Sequence, residues 1–220
     1  MKTDPSLRQS GRPPRHRPPG EVRIIGGLWK RSKLAVPDLP GLRPTPDRVR
    51  ETVFNWLGQT LSGRRVLDLY AGSGALGIEA ASRGAATVVL VEQHPRCAAA
   101  IDAAARRLGA TQVEVRTADA LAAAQSLARL GERFDVVFVD PPYASGLQRA
   151  ALRAVAPLLA EGGVVYVETD DPALFDAVAS DGWTAWRRGR AGQVHFALLQ
   201  RSNDPAAQAA SDTEAAAKTA

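Results

Sequence analysis

Short apolar runs alternate with amphipathic stretches along most of the chain after residue 65. The runs are brief and rich in β-branched residues, which is typical of buried strands. They lie near 66–70, 86–92, 112–117, 134–139 and 162–168. The stretches between them carry apolar residues at helical spacing and predict helices near 75–81, 95–108, 120–130 and 146–160. This alternation predicts an α/β fold, a doubly wound sheet of parallel strands with helices on both faces.

The last apolar runs of the chain differ, because no helical stretch separates them. Residues 183–186 and 193–199 are predicted to be two strands, joined by the basic segment 187–190. Since a short connection favours antiparallel pairing, we expect these strands to form an antiparallel edge on the sheet.

Ahead of the sheet, the pattern predicts a hairpin with strands at 22–25 and 28–34 about a Gly-Gly turn. Its charged residues interleave with a tryptophan, a mixture that grips phosphates and stacks on bases. The charged residues are Arg23, Lys30, Arg31 and Lys33, and the tryptophan is Trp29. A surface hairpin with solvated charges would show the same pattern, so both interpretations stay open.

A helix is predicted to follow the hairpin. Thr45 fits its N-cap and Pro46 its first position. Its apolar residues lie on one face and should dock the helix on the sheet; they are Val49, Val53, Trp56 and Leu57. Arg48 and Arg50 are expected elsewhere on the helix surface, available to a ligand.

Charge divides the chain into a basic front and a near-neutral body. The first 60 residues contain 12 Lys/Arg and 5 Asp/Glu, whereas the rest contain 16 and 18. We expect residues 1–20 and 202–220, which have little to bury, to be disordered tails. Residues 21–60 are the predicted N-terminal extension and residues 61–201 the predicted main domain. A basic extension on such a body indicates contact with a polyanion.

Two further features narrow the function classes. Cys97 is the only cysteine among 220 residues, which excludes an internal disulfide and a multi-cysteine zinc site. No apolar run reaches the length of a membrane span, and the amino terminus lacks the apolar core of a secretory signal. We therefore expect a cytoplasmic protein without a metal.

The stretch Asp140-Pro141-Pro142-Tyr143 carries the most distinctive candidate chemistry. Its prolines end the preceding strand, because proline cannot donate to a β-ladder. The Asp140 carboxylate and the Pro141 carbonyl could accept hydrogen bonds from an exocyclic amine of a nucleobase, and Tyr143 could stack on the base. Such contacts hold the nitrogen closer to tetrahedral and aim its lone pair at an electrophilic methyl group. The alternative is a strand end closed by a proline turn, with Tyr143 as ordinary packing.

A glycine-rich turn at residues 72–77 matches the dinucleotide fingerprint G-x-G-x-x-G. Glu92, eighteen residues after Gly74, suits a pair of ribose hydroxyls, so a nicotinamide cofactor must be considered. Asp68, just before the turn, suits a cationic amino group and sits poorly beside a pyrophosphate. Asp119, after the third strand, suits an adenine amino group. Acids at successive strand ends favour S-adenosylmethionine, which has adenine, ribose and an amino acid but no phosphate.

Four segments together resemble a known family. They are residues 23–27, 42–51, 68–77 and 139–143, and the resemblance covers about residues 22–201. On these residues the chain resembles the RsmD family, bacterial 16S rRNA guanine-N2 methyltransferases. The resemblance implies a class I, S-adenosylmethionine-dependent methyltransferase fold: a Rossmann-like sheet with an N-terminal hairpin and helix. It implies action on one guanine of 16S rRNA in the small ribosomal subunit or its assembly intermediate. We expect a monomer that binds no membrane.

The resemblance also implies a role for each matching residue. The cofactor-binding set is Asp68, Ala71, Gly72 and Gly74 on the methionine side, Glu92 at the ribose, and Asp119 with Ala120 at the adenine. The set holding the guanine amine is Asp140, Pro141 and Tyr143. The loop around Arg43, Thr45 and Arg48 would close near the reaction centre and contact RNA.

Three other functions fit parts of the sequence. A DNA adenine-N6 or cytosine-N4 methyltransferase would use the same Asp-Pro-Pro-Tyr group, although the chain is short for a separate DNA-recognition domain. A nicotinamide oxidoreductase would use the glycine turn. A non-catalytic RNA-binding assembly factor would keep the fold without the reaction.

Overall fold

The computed structural model describes residues 20–42, 45–142 and 146–202. The predicted tails, except Gly20 and Ser202, lie outside these residues, as do Arg43 and Tyr143. The strands are β1 Gly20–Arg23, β2 Lys33–Val36, β3 Arg65–Asp68, β4 Thr87–Glu92, β5 Val113–Thr117, β6 Phe134–Val139, β7 Leu159–Thr169, β8 Trp183–Ala191 and β9 Val194–Arg201. The α-helices are α1 Asp47–Trp56, α2 Ala75–Ser82, α3 Pro95–Leu108, α4 Ala120–Arg129, α5 Gln148–Val155 and α6 Leu174–Ala177.

Seven of the described strands form one sheet, in the order β5-β4-β3-β6-β7-β9-β8. The first five are parallel, and β9 and β8 add an antiparallel edge. The predicted doubly wound sheet with an antiparallel edge is therefore confirmed. The chain continues from β3 to β4, which pairs on one side of β3, whereas β6 pairs on the other side. The carboxyl ends of β3 and β6 thus form the topological switch point, where ligands bind in open α/β sheets.

The edge hairpin of β8 and β9 differs from the prediction. The basic residues predicted to connect two strands lie within β8, and the turn is at Gly192. Arg187 and Arg188 place their guanidinium groups over Trp186 and Phe175, at 5.1 and 5.4 Å from the ring centroids. An outermost strand accommodates such charges because its free edge faces solvent.

Two other elements are shorter than expected. α5 stops early because the chain passes into a 3₁₀ turn that contains Pro157 and leads directly to β7. β2 is the other, since it begins only at Lys33 and the predicted strand residues 28–32 belong to the connection; β1 keeps its four residues but lies two positions earlier than predicted. Ile25 and Gly26 donate their backbone N–H groups to Glu79 of α2 and not across the hairpin.

Residues of the sheet alternate between two buried layers, as the pleat of a strand requires. Val66, Phe138 and Tyr166 pack in the layer with α1, α2, α3 and the hairpin, whereas Leu67 and Val137 pack in the layer with α4 and α5. Within the described ranges, no helix is long and apolar enough to cross a membrane.

A buried carboxylate fixes the N-terminal extension to the main domain. Glu79 has no exposed surface and accepts hydrogen bonds from Ile25 N and Gly26 N, both at 2.7 Å. It also pairs with Arg83 at 2.9 Å and with Arg50 at 3.4 Å. The prediction that Arg50 lies on the surface of α1 is wrong, because its side chain is fully buried. Its guanidinium also donates to the carbonyl of Arg23 at 2.7 Å, so it joins α1 to the hairpin.

We expect Glu79→Gln to lower the free energy of unfolding by about 3–5 kcal/mol, because Arg83 loses the carboxylate with which it pairs and the buried Arg50 keeps only its pair with the exposed Asp47. Asp102→Asn is the matched control, since Asp102 forms an ion pair with Arg106 in which both side chains are largely exposed. That change should cost less than about 0.5 kcal/mol. Urea unfolding of both variants measures the two losses; losses of equal size would contradict this account of the anchor.

Candidate active site

Three acidic residues meet at the carboxyl edge of neighbouring strands. Asp68 ends β3 and lies level with Phe138 of β6, so Asp140 emerges two residues farther along β6. Val139 pairs with Val167, which places Glu168 of β7 level with Asp140. By the alternation of side chains, these acids belong to the sheet face covered by α1 and α2. They form one cluster at the switch point.

The glycine turn between β3 and α2 has the backbone that a close-approaching ligand requires. Gly72 and Gly74 have φ values of +56° and +75°, a region that residues with side chains rarely adopt. A Cβ on Gly77 would lie 2.6 Å from the side chain of Leu90. The third glycine therefore lets α2 pack directly on β4. Ala71 donates its N–H to Val91 at 2.9 Å, which ties the turn to the same strand.

Carboxylates of the chain occupy two amides of this turn. Asp68 accepts a hydrogen bond from Gly77 N at 2.9 Å, and Glu92 accepts one from Gly72 N at 2.8 Å. The second oxygen of Glu92 accepts from His94 N at 2.7 Å. In a dinucleotide site such amides face a pyrophosphate, which these carboxylates would repel. The site instead fits a ligand that offers an amino group and hydroxyls, as S-adenosylmethionine does.

Burial strongly changes the acidity of Asp68. The side chain is 2% exposed, and desolvation raises its pKa to about 7. The hydrogen bond from Gly77 acts in the opposite direction, and the nearby charge of Glu92 raises the pKa further. A cationic group placed beside Asp68 would restore its ionised form.

Asp119 lies where β5 leads into α4. Its Oδ1 caps α4 by accepting a hydrogen bond from Ala122 N at 2.9 Å, and Ala120 begins the helix. Burial, and then the charge of Asp119, raises the pKa of Tyr70 to about 12. The buried hydroxyl of Tyr70 has no hydrogen-bond partner among the described residues. That Asp119 and Ala120 hold an adenine stays a prediction.

The Asp140 corner is enclosed although Asp140 keeps some exposed surface. The hydroxyl of Thr45 donates to Asp140 Oδ2 at 3.5 Å, and Pro141 is buried. Burial raises the pKa of Asp140 well above its usual value, and the charges of Glu168 and then Asp68 raise it further; the Thr45 bond opposes this shift. Asp140 therefore binds a proton more strongly than an ordinary aspartate does.

The segment before α1 reaches across this edge. A Cβ on Gly72 would lie 3.4 Å from Leu42 Cδ1, so Leu42 lies against the glycine turn, while Thr45 contacts Asp140. Arg48, in the first turn of α1, is exposed. Leu42 and Thr45 therefore lie at the two parts of the candidate site, the glycine turn and the Asp140 corner.

The predicted RNA contacts of the hairpin lie elsewhere. Lys30 and Arg31 are exposed, but Trp29 is half-buried and packs on the core. The backbone N–H of Trp29 donates to Ser82 Oγ at 2.9 Å, at the far end of α2 from the glycine turn. An eight-residue helix spans about 12 Å. The structure therefore does not bring Lys30 and Arg31 together with Asp140. Arg23 is exposed on β1.

Glu168 is a member of the acidic cluster that the sequence pattern did not single out. It ends an apolar run, and a carboxylate is common at the end of a strand. The sequence does not show which residue of the neighbouring strand lies beside it. Its burial, 1% exposed, and its position beside Asp140 come only from the pairing of β6 with β7.

Comparison with known proteins agrees with this geometry. A family model described as Conserved hypothetical protein 95 matches residues 22–200. Ribosomal RNA small subunit methyltransferase D of Escherichia coli K12 is 40% identical over 203 residues, which cover 91% of this chain and 98% of that protein. The chain belongs to this family. The Haemophilus influenzae member with the same name is 38% identical, over 82% of this chain and 94% of that protein.

A solved structure shares the architecture of the family. The Escherichia coli protein yhhF superposes with a TM-score of 0.69 at 39% identity, covering 83% of this chain and 98% of that one. The more distant Streptococcus mutans protein SMU.776, solved with SAH, is 17% identical with a TM-score of 0.66 and shares the fold.

The buried Asp68 should make stability depend on pH. Its pKa is about 7 in the folded chain against an ordinary 3.8, so the folded state holds a proton that the unfolded state releases. The free energy of unfolding should therefore fall as pH rises from about 4 to 7, by about 4 kcal/mol for this group. Asp68→Asn keeps the acceptor for Gly77 N and should remove that part of the slope in pH-dependent urea unfolding. Asp102→Asn should leave the slope unchanged; an equal slope in Asp68→Asn would contradict the assigned burial cost.

Proposed function

We propose that the chain transfers the methyl group of S-adenosylmethionine to the exocyclic N2 amine of a guanine in 16S rRNA of the small ribosomal subunit. Methyl transfer to ribosomal RNA is the activity by which its close relatives are named. The observation that carries the proposal is the position of Asp140 and Pro141 directly beside the acid-lined glycine turn. A donor of methyl groups and an acceptor amine would meet there.

The chain's own residues would hold the cofactor through its polar groups. Asp68 would face the amino group, Glu92 the ribose hydroxyls, and Asp119 with Ala120 the adenine. Ala71, Gly72 and Gly74 would line the methionine side without side-chain obstruction. When bound, the cofactor supplies an electrophilic methyl group, and the protein supplies position and charge complementarity.

The Asp140 corner would orient the acceptor. The carboxylate and the Pro141 carbonyl would accept hydrogen bonds from the two N–H bonds of the amine, leaving its lone pair directed at the methyl group. Thr45 would fix the carboxylate from the other side. Tyr143, outside the described residues, is proposed to stack on the base. The same corner suits amines of adenine or cytosine, and the guanine assignment rests on the family resemblance.

RNA contacts are proposed on both flanks of this edge. Arg48 lies on one side, in the first turn of α1. On the other side, Arg190 pairs with His195, which pairs with Thr169 at the end of β7. Arg190 thus lies at the same edge of the sheet, about 14 Å from Asp140 and three strand spacings away, on the face opposite to the acidic cluster. The hairpin residues Arg23, Trp29, Lys30, Arg31 and the loop residue Arg43 are proposed as more distant contacts.

Asp140→Ala should reduce methyl transfer to purified, unmodified small subunits at least about 100-fold, since the acceptor amine loses its carboxylate. Cofactor affinity by calorimetry should stay within about threefold. The exposed Asp170, just beyond β7, offers the control Asp170→Ala, which should keep both properties. Equal loss of cofactor binding and turnover would contradict the acceptor role. Mass mapping should place the new methyl on a guanine; transfer to duplex DNA instead would identify the rival function.

Replacing Arg48 and Arg190 together by Gln should weaken binding to small subunits and flatten its dependence on salt. Each lost phosphate contact should reduce the log–log salt slope by roughly 0.7–0.9. Arg129 and Arg133, exposed near the opposite edge of the sheet, give a control of equal charge change. Filter binding at several salt concentrations compares the pairs, and identical slopes would place the RNA surface elsewhere.

A further inference from the structure

Glu168 is a buried carboxylate that the proposed reaction leaves without a role. Its side chain is 1% exposed, and it directly follows Val167, the partner of Val139. Asp140 directly follows Val139. Adjacent strands lie about 4.8 Å apart, so the two acids are neighbours on one face of the sheet.

The orientation of Glu168 is fixed by a residue two positions earlier on β7. The phenol of Tyr166 donates a hydrogen bond to Glu168 Oε1 at 2.6 Å. Tyr166 is fully buried, and its ring contacts Phe138 and Phe196 with centroids 6.0 and 6.2 Å apart. A two-residue spacing on β7 puts the phenol and the carboxylate on the same face. Tyr166 therefore holds one oxygen of Glu168 in place within a rigid aromatic layer.

The described groups around the Asp140 and Glu168 pair are mostly acidic. Asp68 faces it from β3 and the Thr45 hydroxyl from the segment before α1. On β9, Phe196 is the partner of Glu168, and His195, the partner of Thr169, lies on the opposite face of the sheet. The charge of Glu168 is, after burial, the larger electrostatic cause of the raised pKa of Asp140. Two carboxylates on adjacent strands, of which Glu168 is buried, hold a proton more strongly than either acid does alone.

We propose that Glu168 is a positioning residue that acts through Asp140, giving Asp140 the proton affinity to take up the proton released on methylation. The inference rests on the proposed function. As the nitrogen bonds to the methyl carbon, the carbon–sulfur bond breaks and its electron pair stays on sulfur. The nitrogen becomes cationic and gives one proton to the Asp140 carboxylate, which yields the neutral methylated amine. Glu168 stays anionic, held by Tyr166, and stabilises the protonated form of Asp140.

The pH dependence of the Glu168→Gln variant tests this role. Gln keeps an oxygen that can accept from Tyr166 but removes the charge. The acid limb of kcat/KM for small subunits, at saturating S-adenosylmethionine, should move to lower pH by about one unit or more. The plateau should fall about tenfold or more, because Asp140 binds the released proton less well. A purely structural role would lower the plateau and leave the limb in place, and that result would overturn the inference.

Two further variants complete the test. Glu161→Gln makes the same change at an exposed position near the start of β7 and should leave the profile unaltered. Tyr166→Phe removes the phenol that donates to Glu168 Oε1, so its acid limb should move in the same direction as that of Glu168→Gln; this variant decides the matter if Glu168→Gln does not fold. If the wild type is active and both variants have the same acid limb as the wild type, only this inference is contradicted. A wild type that methylates no small subunit contradicts the proposed function.

Discussion

The contact on which the arrangement depends is the buried carboxylate of Glu79. It binds the backbone of the hairpin at Ile25 and Gly26 and pairs with Arg50 and Arg83. Ser82 of α2 also binds the hairpin, through Leu28 N, Trp29 N and the carbonyl of Gly26. Glu79 is the group that contacts both the hairpin and α1. While α1 is held there, Thr45 just before it contacts Asp140, and Leu42 lies against the glycine turn. The N-terminal extension is therefore part of the candidate site and not an appended arm.

The same kind of interaction decides what the site can bind. A glycine turn by itself fits a pyrophosphate, since its amides point outward at a helix N-terminus. Here Asp68 and Glu92 already accept from Gly77 and Gly72. The positive end of α2 is thus partly neutralised by the chain itself, and the remaining excess charge at the edge is negative. A turn with the same glycine pattern as a dinucleotide site therefore suits a different ligand here, because the strand ends around it are acidic.

Much of this could be read from the sequence. Apolar runs are short enough to mark β6 and its parallel neighbours, and two prolines mark the point where Asp140 leaves its strand. Arg50 could not be placed, because helical spacing alone does not distinguish a solvated arginine from one that reaches a buried acid on another helix. Nor could the environment of Trp29 be decided, since a tryptophan in a hairpin suits a nucleobase and the core equally well until Ser82 is known to bind its backbone. Long-range polar pairs carry no local periodicity, so their partners become visible only in the fold.

The acidic cluster itself argues for function over stability. Burying Asp68, Asp140 and Glu168 costs folding free energy, because each carboxylate loses water and repels the others. Hydrogen bonds from Gly77, Thr45 and Tyr166 offset only part of that cost, as the raised pKa values of Asp68 and Asp140 show. Apolar residues at these strand ends would pack on the neighbouring core and make the sheet more stable. Three acids on three adjacent strands at a switch point are instead what a site needs in order to hold a cationic ligand and accept a proton beside it.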